Sequence, residues 1–314
     1  MDKQNPPKKQ HTVSDFYLRR FADSNSHVWV YDRESKELRS QPTKDTTIER
    51  DFYTFNSKSG DKDYSIEIDL FANNLEPRAN SVISNLEKGI LPDKEGRRDL
   101  SEFVAFQYLR TTASRQDLSY SYAEFTKLRL RSFFLNKERA KQTIENIEKD
   151  TGKKFGVTVD EAMDFANSDR FIIEAPKEYH LWFMLSSFKE FYSIYFQLNW
   201  TFFRAPKNSL FITSDNPLAI MRFNAHPFYG QHLGQAESTL PLTPEISLFM
   251  SQKGTVTTWE TANDKLANNL NIRTAIYSDR YLISRKRKQL DKLVKKTNIG
   301  QRPRIPRIKI ETPF

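Results

Sequence analysis

Four side chains carry most of the chemistry this sequence offers: His11, Gln107, Arg110 and Asp215. An imidazole titrates near neutral pH, so His11 can act as a general base or a metal ligand, or pack the first helix. Asp215 lies in Thr213-Ser214-Asp215-Asn216-Pro217, where a carboxylate at a strand end can hold a divalent metal or orient a water. The same residue types form turns in which the Asp side chain bonds nearby amides, and the two readings are compatible. Gln107 and Arg110 are three apart and share a helical face. An arginine there can grip phosphate or carboxylate in a fork, or enter a structural ion pair with Glu102 or Asp69. His11, Asp215 and Arg110 are the catalytic candidates, and His11 with Asp215 the metal candidates. Gln107, Arg115, Asn216 and Asn271 are candidates for binding substrate, Asn271 reading equally as a bond to loop backbone. His27, His180, His226 and His232 lack His-Glu-x-x-His spacing, so no zinc motif is read.

These residues need elements to position them. A short helix follows Ser14, with Phe16, Tyr17 and Phe21 on one face. Val28–Asp32 alternates like a strand and can pair with 37–40. Helical patterns run over 66–90, with a break predicted at Pro77, over 100–113, over 120–149 and from Thr158. Leu181, Leu185, Phe188, Phe191, Tyr192 and Tyr195 recur at threes and fours, predicting a central core helix over 177–198. Strands over 200–259 predict a small antiparallel sheet, followed by a helix over 261–277, a strand at 281–283 and a charged helix over 285–296. Pro303 and Pro306 make 301–314 an extended arm.

The expected fold class is α+β, mainly a helical core with a small antiparallel sheet and an extended basic C-terminal arm. The expected organisation is a disordered leader over 1–8, a single α+β domain over 9–284 and a basic helix with a Pro-containing arm over 285–314.

Only 9 glycines occur in 314 residues, and neither G-x-G-x-x-G nor G-x-x-x-x-G-K-[ST] is present. The absence of G-x-S-x-G argues against a nucleophile elbow. With no cysteine, disulfides, thiolate metal sites and cysteine nucleophiles are excluded, and a reducing cytoplasm is the expected location. No apolar run approaches the roughly 18 residues that span a bilayer, and the leader has no apolar segment. The formal charge of +9 is local: 285–314 holds eleven Lys/Arg against two acids, which is the whole surplus. Arg285, Lys286, Arg287, Lys288, Arg302, Arg304 and Arg307 are therefore the nucleic-acid-binding candidates. The same cluster could instead recruit an acidic protein partner.

Several segments together resemble the bacterial domain-of-unknown-function family 4238. They are Gln10-His11, Tyr17-Leu18-Arg19-Arg20-Phe21, Gln107-Tyr108-Leu109-Arg110-Thr111 with Arg115, Phe211 to Pro217, Pro241 to Pro244, and Leu270-Asn271. The resemblance spans about 9 to 284. It implies two acids seven apart on an early helix, matched by Asp69 and Glu76, with a shorter carboxylate at the first position. It carries no settled activity. The expected function is a metal-dependent nuclease, or another protein acting on nucleic acid, of bacterial defence or toxin type. Its cofactor is expected to be a divalent metal. The alternatives are a non-catalytic binding or regulatory module that recruits nucleic acid or an acidic protein through the tail, and a hydrolase or transferase of a small phosphorylated molecule.

Overall fold

The computed structural model of the chain describes residues 8–56, 60–221 and 236–296. Most of the expected leader, the arm from 297 onward, His226, His232, Arg302, Arg304 and Arg307 lie outside the described residues. The fold is α+β with a helical core and small sheets, half of it helical and about a fifth strand. The chain forms two compact units. Among the described residues, one unit comprises 8–114 and 181–296 and the other 115–180. Periodicity reports which face of a helix is buried, not which partner buries it, so the division was invisible in the sequence.

The first unit opens with β1 (Lys9–His11), α1 (Asp15–Arg19), β2 (His27–Asp32), β3 (Leu38–Pro42) and β4 (Ile48–Arg50). β1 pairs antiparallel with β4, setting His11 opposite Ile48. After the two-residue strands β5 (Phe55–Asn56) and β6 (Lys62–Asp63), the chain winds as a π-helix over Ile66–Leu75 and passes directly into α2 (Glu76–Glu87). Pro77 does not break this segment as the sequence reading predicted. It sits in the first turn of α2, directly after the π-helix, with the preceding Leu75 already helical. α3 (Lys94–Leu109) starts at Asp93, whose carboxylate accepts from the Gly96 amide.

The second unit holds most of α4 (Thr112–Phe133), then α5 (Lys137–Thr151) and α6 (Val159–Asn167). The predicted single stretch over 120–149 is split at Asn136, which caps α5 through the Arg139 amide. Gly152, left-handed at φ +67°, ends α5. Thr158 and Glu161 form the capping box of α6, at the predicted start. Phe134, Ala140, Ile144, Ala162 and Ala166 make a small core.

The unit boundary falls again within α7 (Lys177–Phe196), the predicted central helix. Its Leu181, Met184 and Tyr195 are buried in the first unit's core. β7 (Leu198–Arg204), β8 (Thr213–Ser214), β9 (Ala219–Met221), β10 (Glu237–Thr243), β11 (Ile246–Lys253) and β12 (Thr257–Thr261) follow, then α8 (Asp264–Tyr277), β13 (Tyr281–Ser284) and α9 (Arg287–Lys296). One sheet has the order β12-β7-β11-β10-β9, with β12 parallel to β7 rather than antiparallel as expected. A second, β3-β2-β13-β8, ties the start of the chain to its end. The predicted pairing of 28–32 with 37–40 is present as β2 and β3. α9 belongs to the unit's packed body, since Leu290 and Leu293 are buried with Ile212, Ala275 and Leu282.

Candidate functional site

Arg110, at the C-cap of α3, is 1% exposed and organises a set of polar side chains inside the first unit. Its Nη1 donates to Ser14 Oγ at 2.8 Å and to Glu76 Oε1 at 3.0 Å. Nη2 donates to the His11 carbonyl at 2.6 Å, and Nε to the Tyr53 hydroxyl at 3.3 Å. That hydroxyl in turn donates to the Arg110 carbonyl at 2.6 Å. The guanidinium also lies 4.0 Å from the centre of the Phe71 ring. Burial works against its charge, but Tyr53, Glu76 and Glu67 outweigh it, so Arg110 is held firmly protonated. Its ion-pair partner is Glu76, not Glu102 or Asp69. Glu102 pairs with Arg78 at 2.6 Å, and Asp69 is exposed. The sequence reading gave Arg110 a phosphate; instead its donors are committed inside the protein, making it a positioning residue for Glu76 and the His11 backbone.

Glu67 is the acid that periodicity missed. Nine residues separate it from Glu76, which is two and a half turns of an α-helix and would place them on opposite faces. The intervening segment is a π-helix, closed at its end by the Glu76 amide donating to the Phe71 carbonyl five residues back. At roughly 4.4 residues per turn that winding makes nine residues two turns. Both acids therefore act on Arg110, as their electrostatic coupling reflects. Asp69, seven from Glu76, would have been the match in an α-helix. No local composition announces a π-helix, so the sequence carried no signal that Glu67 would share a side with Glu76.

Three side chains here keep buried polar atoms without a hydrogen-bond partner: His11 at Nε2, Glu67 at Oε2, and Gln107 at both amide atoms. Gln107 is 0% exposed. Burying such groups unpaired costs on the order of 1–3 kcal/mol each, so they mark a place where bonding capacity is held in reserve. Burial lowers the His11 pKa; Asp15 and Glu76 pull it up and Arg110 down, and the ring is neutral at pH 7. Burial pushes the Glu67 carboxyl up to about 7, Arg110 opposing and Glu76 assisting. A carboxyl that titrates near neutrality can exchange protons with a substrate, and Arg110 connects it to His11 through the His11 carbonyl. Gln10 shows the contrast: equally buried, its amide is spent, accepting from the Tyr53 amide at 2.6 Å and donating to Thr54 Oγ1 at 3.2 Å.

Asp215 is a different kind of acid. Its carboxylate accepts from three consecutive backbone amides, Asp279 at 2.9 Å, Arg280 at 2.7 Å and Tyr281 at 2.9 Å. Burial and Asp279 push it up to about 6, against these donors. Both oxygens are occupied in clamping the loop between α8 and β13, a role for Asp215 remote in sequence rather than within its own turn. Its neighbours are not those of His11, which senses Asp15, Arg110 and Glu76. The Asp215 oxygens go to those amides rather than to His11, and among the described residues no group of three His, Asp or Glu side chains could hold a metal. Asn216 donates to the Tyr277 carbonyl at 2.8 Å. Asn271 bridges the Ile212 amide and the Leu210 carbonyl, both at 2.9 Å, the loop-backbone role foreseen for it. Arg115 lies in the second unit, donating to His180 Nδ1 at 3.2 Å.

In the basic segment, Arg285 pairs with Glu245 at 2.7 Å, while Arg287 pairs with Asp291 and lies over the Trp29 ring. Lys286 and Lys288 are exposed. Among the described residues no helix is long and apolar enough to cross a membrane.

Comparison with known proteins returns one family, described as a protein of unknown function (DUF4238), matching residues 9–288. The chain belongs to that family. The match reaches into the first turn of α9, beyond the expected limit of 284. No curated protein and no solved structure matches the chain.

Proposed function

We propose that this member of the family is an acid–base hydrolase whose working pair is His11 and Glu67. The observation that supports it best is the Glu67 carboxyl, held near neutrality with an unpartnered buried oxygen on the same Arg110 hub that fixes the His11 backbone. At pH 7 Glu67 gives a proton to a leaving group, and neutral His11 takes one from water. Gln107 orients the substrate with its free amide. Arg110 and Glu76 position the pair without touching substrate. Phosphodiesters of nucleic acid are the first substrate class to test, with Lys286 and Lys288 adding salt-dependent attraction to the backbone. Phosphorylated small molecules are the second.

The test is turnover of a panel of DNA, RNA and small phosphate esters, with and without divalent metal, by wild type, Glu67→Gln and His11→Ala. Losses of about 10²–10⁴-fold in both variants are expected. Equal turnover by wild type and variants contradicts the reading.

A second reading has its own support. All three guanidinium nitrogens of Arg110 hydrogen-bond within the protein, as expected of a structural lock in a non-catalytic binding module. It predicts no turnover by the wild type on any substrate and a loss of stability in both variants.

A further inference from the structure

A cleft of about 400 Å³ in the first unit is lined by Glu87, Arg204, Ala205, Glu245 and Ile246. Its two acids are already neutralised. Glu87 pairs with Arg20 at 2.7 Å, and Glu245 pairs with Arg285 at 2.7 Å. Arg285 also donates to the Arg20 carbonyl at 2.7 Å, so the two arginines behind the cleft are tied together. Arg204, at the end of β7 opposite Ile246, is exposed, and its guanidinium has no hydrogen bond or ion pair among the described residues. It lies instead 4.3 Å over the Trp259 ring. Gly89, at φ +85° just past the end of α2, lets the backbone close on it: a Cβ there would lie 3.1 Å from Arg204 Nη2.

The surroundings hold a surplus of donors. Arg20 Nε, Arg285 Nε and Trp259 Nε1 are buried with no acceptor, and three arginines face two glutamates, leaving one positive charge. A stacked, pre-oriented guanidinium with a free fork is complementary to a tetrahedral oxyanion. We propose that this cleft binds a phosphate group through Arg204, as free phosphate or as the phosphate of a nucleotide. The site is separate from the Arg110 hub and independent of the acid–base reading. It also gives Arg285 a function: rather than contacting a nucleic acid directly, it cancels Glu245 so that an anion can enter.

Calorimetric titration of the full chain with inorganic phosphate and with a nucleoside 5′-monophosphate tests this. Saturable binding is expected, weakened about tenfold or more by Arg204→Ala and unchanged by Arg139→Ala, an exposed cation of the second unit. Gly89→Ala, which crowds the guanidinium without changing charge, should weaken binding as well. Tighter binding of the nucleotide assigns the site to a phosphorylated molecule, and equal binding assigns it to free phosphate. Absence of saturable binding, or equal affinity in wild type and Arg204→Ala, overturns the proposal; the latter would leave the lysines and arginines of 285–314 as the anion-binding groups.

Discussion

Asp215 and Glu67 are both acids raised towards neutrality by burial, yet they sit in opposite bonding states. Asp215 spends its carboxylate on three backbone amides of one loop. Glu67 keeps an oxygen buried with no partner, under the charge of Arg110, whose bonds go to other groups. The first arrangement builds structure and the second stores reactivity. A raised pKa alone does not separate them, whereas hydrogen-bond accounting does.

The largest effect expected on this contrast is at Asp215. Replacing it with Ala orphans three amides, two of them on part-buried loop backbone, and should cost about 3–5 kcal/mol in urea denaturation. Asp215→Asn with wild-type stability would place Asp215 in Glu67's class. Arg110→Met comes next, at about 3 kcal/mol, because it strands the half-buried Glu76. Adding Glu76→Gln should recover part of that loss, and strict additivity in the double-mutant cycle would show that the pair is not coupled.

Glu67→Gln acts through pH. Because its folded pKa lies above the unfolded one, Glu67 favours folding at low pH, and that contribution is lost as pH rises from about 4.5 through 7. The variant should therefore gain stability relative to wild type by up to about 3 kcal/mol between pH 5 and pH 8. A pH-independent difference in melting temperature would break the comparison. Gln107→Leu should be smallest, neutral or stabilising within about 1 kcal/mol, since it removes unpaired amide atoms while keeping the shape. A clear destabilisation would mean that Gln107 is spent like Gln10.

Much of this architecture was legible from the residues. The capping box at Thr158, the pairing of 28–32 with 37–40, the helix over 177–196 and the α+β class follow from patterns that act over a few residues. The motif with the clearest spelling, Thr213 to Pro217, stood out locally, but the partners of Asp215 lie more than 60 residues on and were not legible there. Arg110 was found because Gln107 and Arg110 share a face, although its partners were not. Glu67 was missed because the π-helix changes the angular period on which sequence reading depends. The unit formed by 115–180 was missed because its helices look like any amphipathic helix until their contacts are known.

The central claim is that Glu67 holds a proton available at neutral pH. A carbon-detected NMR titration of side-chain carboxyls in the full chain, with Glu67→Gln supplying the assignment, measures this directly. A midpoint near 7 for Glu67 is predicted. A midpoint near 4.5, the ordinary glutamate value, would show the carboxylate ionised throughout and would contradict the acid–base account.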